Sequence, residues 1–263
     1  MGLAAIVVAA SLAASPPAQY VLSHQQTDGG FAETGGTESP ELTAWSVLGL
    51  RAAGAGTGGA LTYLLAHEPE LKTPTSIALV AMAKAALGRE PDALLARLPA
   101  RPRAVNEAIW DTLALRQAGR RVPRPIVNYL LRSQAATGGF GWARGVRPDS
   151  NDTAFAIQAL RAAGIRGSPV SRALGFLRTF QRRDGGFELS HGRGSDAQST
   201  AVAIQAFVSA GVTPPQGAFR YLARLHRSDG SYRYSVRYAA TPVWVTSQVM
   251  PALARKAFPL PLR

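Results

Sequence analysis

Three carboxylates stand where a transferable proton could be held. Asp149 and Asp152 bracket Ser150-Asn151 just before the apolar stretch that opens with Thr153-Ala154, so both fall in the first turn of an expected helix. Glu41 stands two residues ahead of Thr43-Ala44-Trp45 in the same manner. A carboxylic acid serves as a general acid near neutral pH only where burial or a neighbouring anion raises its pKa. A structural role is also open to each: Asp149 or Ser150 as an N-cap, Asp152 and Glu41 as first-turn carboxylates favoured by the helix dipole. Asn151, between the two aspartates, is an amide and has no acidic proton to give.

The threonines supply a register. With Thr43, Thr153, Thr200 and Thr246 aligned, the residues two positions earlier are Glu41, Asn151, Gln198 and Trp244. They form a mostly polar set at one end of a group of helices. Asn151, Gln198 and Trp244 are candidate ligand-binding residues. The loops leading into these helices hold Arg144, Arg147, Arg193, Arg233 and Arg237 beside Trp142, Tyr232, Tyr234 and Tyr238. Arginines gathered with helix N-termini would welcome an anionic headgroup, and Trp142, Arg147 and Arg193 complete the candidate set on that ground. Loop arginines can also be plain solvated charge.

A repeat positions all of these residues. Four segments share one pattern: Gln25 to Phe31, Gln134 to Phe140, Gln181 to Phe187 and His226 to Tyr232, each Q/H-x-x-x-G-x-aromatic. An aromatic stands five residues before each, namely Tyr20, Tyr129, Phe176 and Tyr221, on a segment of helical apolar spacing. Three of the turns lead to a second helical stretch ending in Ala-Gly, at Gly54, Gly164 and Gly211, where glycine is the expected C-cap. Thr153, Thr200 and Thr246 are 47 and 46 residues apart, while Thr43 lies 110 residues before Thr153. That gap holds two shorter units, one through Tyr63 and Ile77 to Gly88, the other from Asp92 through Trp110 to Gly119, both without the Gly-aromatic turn. Two helices per period signal a repeat architecture, and six hairpins suit a closed ring with inner helices around a central cavity.

The Q-x-x-x-G-x-aromatic turn resembles the QW motif of squalene and oxidosqualene cyclases, with Phe or Tyr in place of Trp. It places the chain beside the prenyltransferase and squalene-cyclase repeat proteins over nearly the whole length from residue 16 onward. The resemblance implies an all-α (α/α)6 toroid in which each glutamine ties its turn to a neighbouring helix end. It also implies an apolar or amphiphilic, isoprenoid-like ligand, to which the loop arginines add an anionic head. Asp149 to Ala154 resembles the D-x-D-D-T-A motif of class II terpene cyclases, whose central Asp protonates an alkene or epoxide; Asn151 occupies that position here. Two readings stay open. One is a non-catalytic toroid that binds a ligand or a partner at its mouth. The other is a reduced class II cyclase or isomerase with Asp152, Asp149 or Glu41 as the acid. Protein prenyltransferase β-subunits share the ring, but their zinc site needs a cysteine. Cobalamin carriers add a second domain for which this chain is too short.

Composition narrows the field further. The chain has 263 residues, 46% hydrophobic and 17% charged, enough to bury a real core. It has no cysteine, which excludes disulfides and thiolate metal sites. The histidines His24, His67, His191 and His226 lack ligand spacing, and no nucleotide fingerprint appears. No metal and no cofactor is therefore expected. The net charge of +13 is almost all arginine and permits an anionic partner without naming one; nucleic-acid binding would rest on charge alone. Lys84 interrupts the run Ile77 to Leu87, so no transmembrane span is expected. The oligomeric state is not encoded in any pattern we recognise.

Residues 1–15 are apolar and end in small residues before Pro16-Pro17, as an export signal does, leaving 16–263 as one domain. Against export, the first basic residue is Arg51, and an outer helix is the alternative reading. If the signal is real, N-terminal sequencing of secreted material should find a start between Ala13 and Tyr20; an intact Met1 outside the cell would exclude cleavage.

Overall fold

A computed structural model describes residues 14–261, so most of the expected export segment lies outside the described residues. Twelve helices alternate between two layers among them. The outer layer is α1 (Pro16–Leu22), α3 (Ala60–His67), α5 (Asp92–Leu95), α7 (Arg124–Ser133), α9 (Ser168–Arg178) and α11 (Gln216–Leu225). The inner layer is α2 (Pro40–Ala53), α4 (Pro74–Ala86), α6 (Val105–Gln117), α8 (Ser150–Ala162), α10 (Ala197–Ser209) and α12 (Pro242–Leu253). Each inner helix packs on the next, and α12 returns to α2, so six hairpins close the all-α toroid that the repeat spacing implies. Because they are covered on nearly every side, the inner helices carry long apolar or small stretches, as Ile77 to Ala83 illustrates.

The repeated turn is a joint between neighbouring hairpins. Gln25 Nε2 donates to Gly29 O (2.9 Å) within its turn and to Thr57 O (3.0 Å) just before α3. Gln134 Nε2 does the same to Gly138 O and to Pro169 O in α9, both at 2.8 Å. The turn aromatics Phe31, Phe140, Phe187 and Tyr232 are buried, and each backbone N–H donates to the aligned threonine of the following inner helix. Thr43, Thr153, Thr200 and Thr246 accept at 3.0, 2.9, 2.9 and 2.9 Å respectively. Threonine recurs there because a buried N–H needs an acceptor that a helix can carry without breaking.

Joints of a second kind run the other way around the ring. The first N–H groups of a helix have no acceptor of their own, and here the next repeat supplies one. Val105 and Asn106 N–H donate to Trp142 O (2.9 and 3.0 Å), Ser150 N–H to Leu189 O (3.1 Å) and Ala197 N–H to Tyr234 O (2.7 Å). The Glu33 carboxylate, from the first repeat, takes Val243 and Trp244 N–H at 2.9 and 2.8 Å. It thereby caps α12, whose own N-cap Thr241 makes no side-chain cap.

Where the last repeat meets the first, the backbones nearly touch. A Cβ at Gly230 (φ 91°) would run into the Pro16 carbonyl, and one at Gly49 into the Ser247 carbonyl; Ser46 and Ser247 hydroxyls lie 3.3 Å apart beside it. Pro16 is thus part of the ring, and cleavage beyond it would open the closure.

Phe187 is fully buried, so Phe187→Ala should destabilise by about 3 kcal/mol. Thr200→Val, which strands the Phe187 N–H, should cost roughly 1–3 kcal/mol. Denaturant midpoints of the two variants check both; values matching the parent would mean that the turns pin nothing.

Candidate ligand site in the ring

Inner helices that are not all neighbours send aromatic side chains to a common centre. Trp45 of α2 lies 5.6 Å, edge to face, from Trp110 of α6 on the far side of α4. Phe155 of α8 lies 4.9 Å from Trp110 and 6.4 Å from Trp45. Trp45 and Phe155 both stand two residues after an aligned threonine, the register that faces the lumen. Offset and edge-to-face rings make a wall suited to hydrocarbon and to the faces of other π-systems.

Trp45 is also part of a mouth cleft of about 440 Å³. Leu42, Leu79 and Trp244 supply its apolar lining, and Glu33, Glu41, Ser39 and Ser76 are among its polar lining. Two predicted site residues, Glu41 and Trp244, meet here. Glu33 was not signalled by the sequence, because its partners are the N–H groups of residues 210 and 211 positions away.

The aspartates of the D-x-x-D-T-A segment sit on α8 and are not part of this cleft. Asp149 is the N-cap: its Oδ1 accepts Asp152 N–H at 2.8 Å. Burial raises the pKa of both carboxyls, and the negative charge of Asp149 adds to the rise at Asp152. Two such groups titrate as a pair, and the pair keeps a proton well above the usual carboxylate range. Asn151 and Gln198 are half-buried in the first turns of α8 and α10. Asp196, the counterpart of Asp149 in the next repeat, also caps, accepting Ser199 N–H at 2.7 Å and Ser199 Oγ–H at 2.8 Å.

The expected gathering of arginines at one mouth is not what the fold builds. Arg193 and Arg237 line a separate cleft of about 720 Å³ with Arg182, Asp184, Asp196, Tyr234 and Tyr238. Arg147 and Trp142 are exposed, and neither lines that cleft or the one above Trp45. The helix N-termini do not supply the expected anion site either: those of α6, α8, α10 and α12 already bond carbonyls or a carboxylate of the chain.

Asp111 was missed in the sequence. It is fully buried in α6, next to Trp110, and neither carboxyl oxygen has a hydrogen-bond partner. Burial first, and the charge of Glu107 second, push its pKa up to about 7. A lone Asp inside Ile109-Trp110-Asp111-Thr112-Leu113 was the available signal. Among the described residues no cluster of His, Asp and Glu could hold a metal ion, and no helix is long and apolar enough to cross a membrane.

The prenyltransferase alpha-alpha toroid domain pattern matches residues 3–51 and 109–238. The chain belongs to that family. No curated sequence matches it. The type II terpene cyclase MstE from Scytonema is similar in structure, with a TM-score of 0.71 and 13% identity over 91% of this chain and 95% of that one. It has been solved with geranylgeranyl dihydroxybenzoate as substrate and merosterolic acid A as product. The ent-copalyl diphosphate synthase from Streptomyces platensis matches at 0.56 and 21% identity, over 82% of this chain but half of that one. A glycosidase solved with glucose matches at 0.64 and 13% identity, over 91% and 94%. At these identities the likeness is one of fold, and the glycosidase shows that the fold alone does not choose a chemistry.

The Asp111 carboxyl makes stability pH-dependent with a definite sign. Its folded pKa is raised from 3.8 to about 7, so its bound proton favours the folded state. That contribution is complete below about pH 4 and lost as pH rises through about 7, to a total of about 4 kcal/mol. Asp111→Asn should therefore gain on the parent by up to ~4 kcal/mol between pH 4 and pH 8. Parallel pH–stability curves for the two proteins would show that Asp111 ionises at no cost.

Proposed function

We propose that the toroid binds an apolar or amphiphilic, isoprenoid-like small molecule in its lumen, admitted through the cleft above Trp45. The observation that carries this reading is the convergence of Trp45, Trp110 and Phe155 on the ring centre beneath an open, largely apolar cleft. The isoprenoid substrate with which MstE has been solved supports the ligand class. Glu33 and Glu41 line the cleft without a basic partner among its lining residues, which favours a neutral head there. An anionic head fits the arginine cleft instead. Export belongs to the same proposal, with cleavage before Pro16, because Pro16 closes the ring against Gly230.

A second reading, a class II cyclase or isomerase, draws on one specific arrangement: Asp149 and Asp152 lie side by side, half-buried, where burial raises the pKa of both carboxyls. A general acid needs such a raised pKa. Asn151 in the central position of the motif argues for binding without cyclisation.

Mass spectrometry of the purified protein should detect a copurifying isoprenoid lipid. Trp244→Ala, at the cleft, should weaken its binding at least tenfold, about 1.4 kcal/mol. Loss of no affinity on that substitution would remove the cleft from the route. Incubation with squalene or a polyprenyl chain separates the two readings: cyclised product that disappears in Asp152→Asn establishes the acid. Cyclisation that survives Asp149→Asn, Asp152→Asn and Glu41→Gln together eliminates it.

A further inference from the structure

The centre of the ring is closed at its base by the chain itself. Beyond α12, residues 254–261 turn in across the C-terminal ends of the inner helices. Lys256 Nζ donates to Ala52 O at the end of α2 (2.7 Å), and the Arg255 guanidinium lies 4.5 Å over the Phe219 ring. Phe258 N–H donates to Gln158 Oε1 of α8 (2.9 Å). Leu260 is held from both sides of its backbone: its N–H donates to Gln117 Oε1 (2.6 Å), and its carbonyl accepts from Gln117 Nε2 (3.0 Å). The Phe258 side chain is buried with its ring 6.1 Å from Trp45, so it reaches the aromatic centre from below.

Two buried glutamines thus bond a main chain much as a neighbouring strand would. The same wall has polar capacity that the segment does not use. Gln158 Nε2, Gln205 Oε1 and both amide atoms of Gln248 are buried with no protein partner. Gln248 stands two residues after Thr246, the register at which Trp45 and Phe155 face the lumen. An unpaired buried donor or acceptor costs roughly 1–3 kcal/mol, so a lumen lined by several is adapted to a polar visitor as well as to an apolar one.

We propose that this lumen takes a neutral amphiphile, with an apolar or aromatic body and a head that both donates and accepts hydrogen bonds, and that residues 254–261 occupy the base of the same site and leave when the ligand enters. The proposal rests on the ligand-binding reading above and adds the head chemistry and the competitor. Gln117, Gln158, Gln205 and Gln248 carry no charge, and an ionic head among them would be buried without a counter-ion; a hydroxyl or carboxamide suits them on both counts. Phe258 takes the place of the ligand body, and the backbone N–H of Phe258 takes the place of its head against Gln158.

Farnesol, an apolar chain with a neutral hydroxyl head, is the probe. It is titrated into the full chain while tryptophan fluorescence reports binding and amide hydrogen exchange reports residues 256–261. Saturation should raise exchange in that segment at least tenfold. Phe258→Ala, which removes the competitor's side chain, should bind farnesol at least tenfold more tightly. Lys256→Ala loosens the segment from the end of α2, outside the lumen; it should shift affinity in the same direction by a smaller factor, and it serves if Phe258→Ala does not fold. Saturable binding with unchanged exchange, or unchanged affinity in the folded variants, overturns the displacement and leaves the ligand-binding function standing. Tighter binding of farnesyl phosphate than of farnesol overturns the neutral head. No binding to any of the three proteins overturns the lumen site itself.

Discussion

A turn peptide N–H, buried under its own aromatic side chain, cannot reach water and is not part of any helix. Four times in this chain it is satisfied by a threonine hydroxyl on the inner helix that follows. That bond fixes the angle between the turn and the inner helix, and in two of the turns the glutamine, Gln25 or Gln134, also ties the turn to the next outer helix. Once both are set, each hairpin has one way to sit against its neighbour. The direction in which Trp45, Phe155 and Gln248 point follows from the same register, because each stands two residues after such a threonine. The content of the lumen is thus dictated by a hydrogen bond at the rim.

The rim caps have a chemical consequence of their own. A helix N-terminus offers a partial positive charge to any anion that can approach it. In four inner helices that offer is taken up by Trp142 O, Leu189 O, Tyr234 O or the Glu33 carboxylate. The cleft above Trp45 is left with Glu33 and Glu41 and no lining arginine, which moves the balance there from anionic toward neutral ligands. The acids inside the fold, half-buried or buried, tell a related story. Asp149 and Asp196 hold their carboxyls in helix caps, whereas Asp111 has no partner at all and remains in the core only at the expense of its ionisation.

The parts of this architecture that repeat were legible in the sequence. The spacing of Gln25, Gln134, Gln181 and His226 to their turn aromatics, and the alignment of Thr43, Thr153, Thr200 and Thr246, are local patterns that need no knowledge of the closed ring. The two hairpins without the turn were placed by the length they had to fill. What was not legible depends on closure. Glu33 caps a helix from the opposite end of the chain, Trp142 acts through its carbonyl while its ring stays in solvent, and Gln117 and Gln158 find their partners in Leu260 and Phe258. The sequence put Arg147 and Arg193 in comparable loops, but it contained nothing to show that only Arg193 lines a cleft, while Arg147 stays exposed outside both.

The ring has a seam. Five of its six junctions are bridged by the covalent chain as well as by packing, while the sixth, between α12 and α2, is held by contact alone: Gly49 against Ser247, Gly230 against Pro16, and the Glu33 carboxylate on the end of α12. A closed hoop pressed from within can part without stretching its covalent chain only at the joint that the chain does not bridge. A ligand too wide for the lumen would therefore widen this toroid by parting the first repeat from the last, as a split washer opens, and the close backbone approaches at Gly49 and Gly230 set how much force that takes.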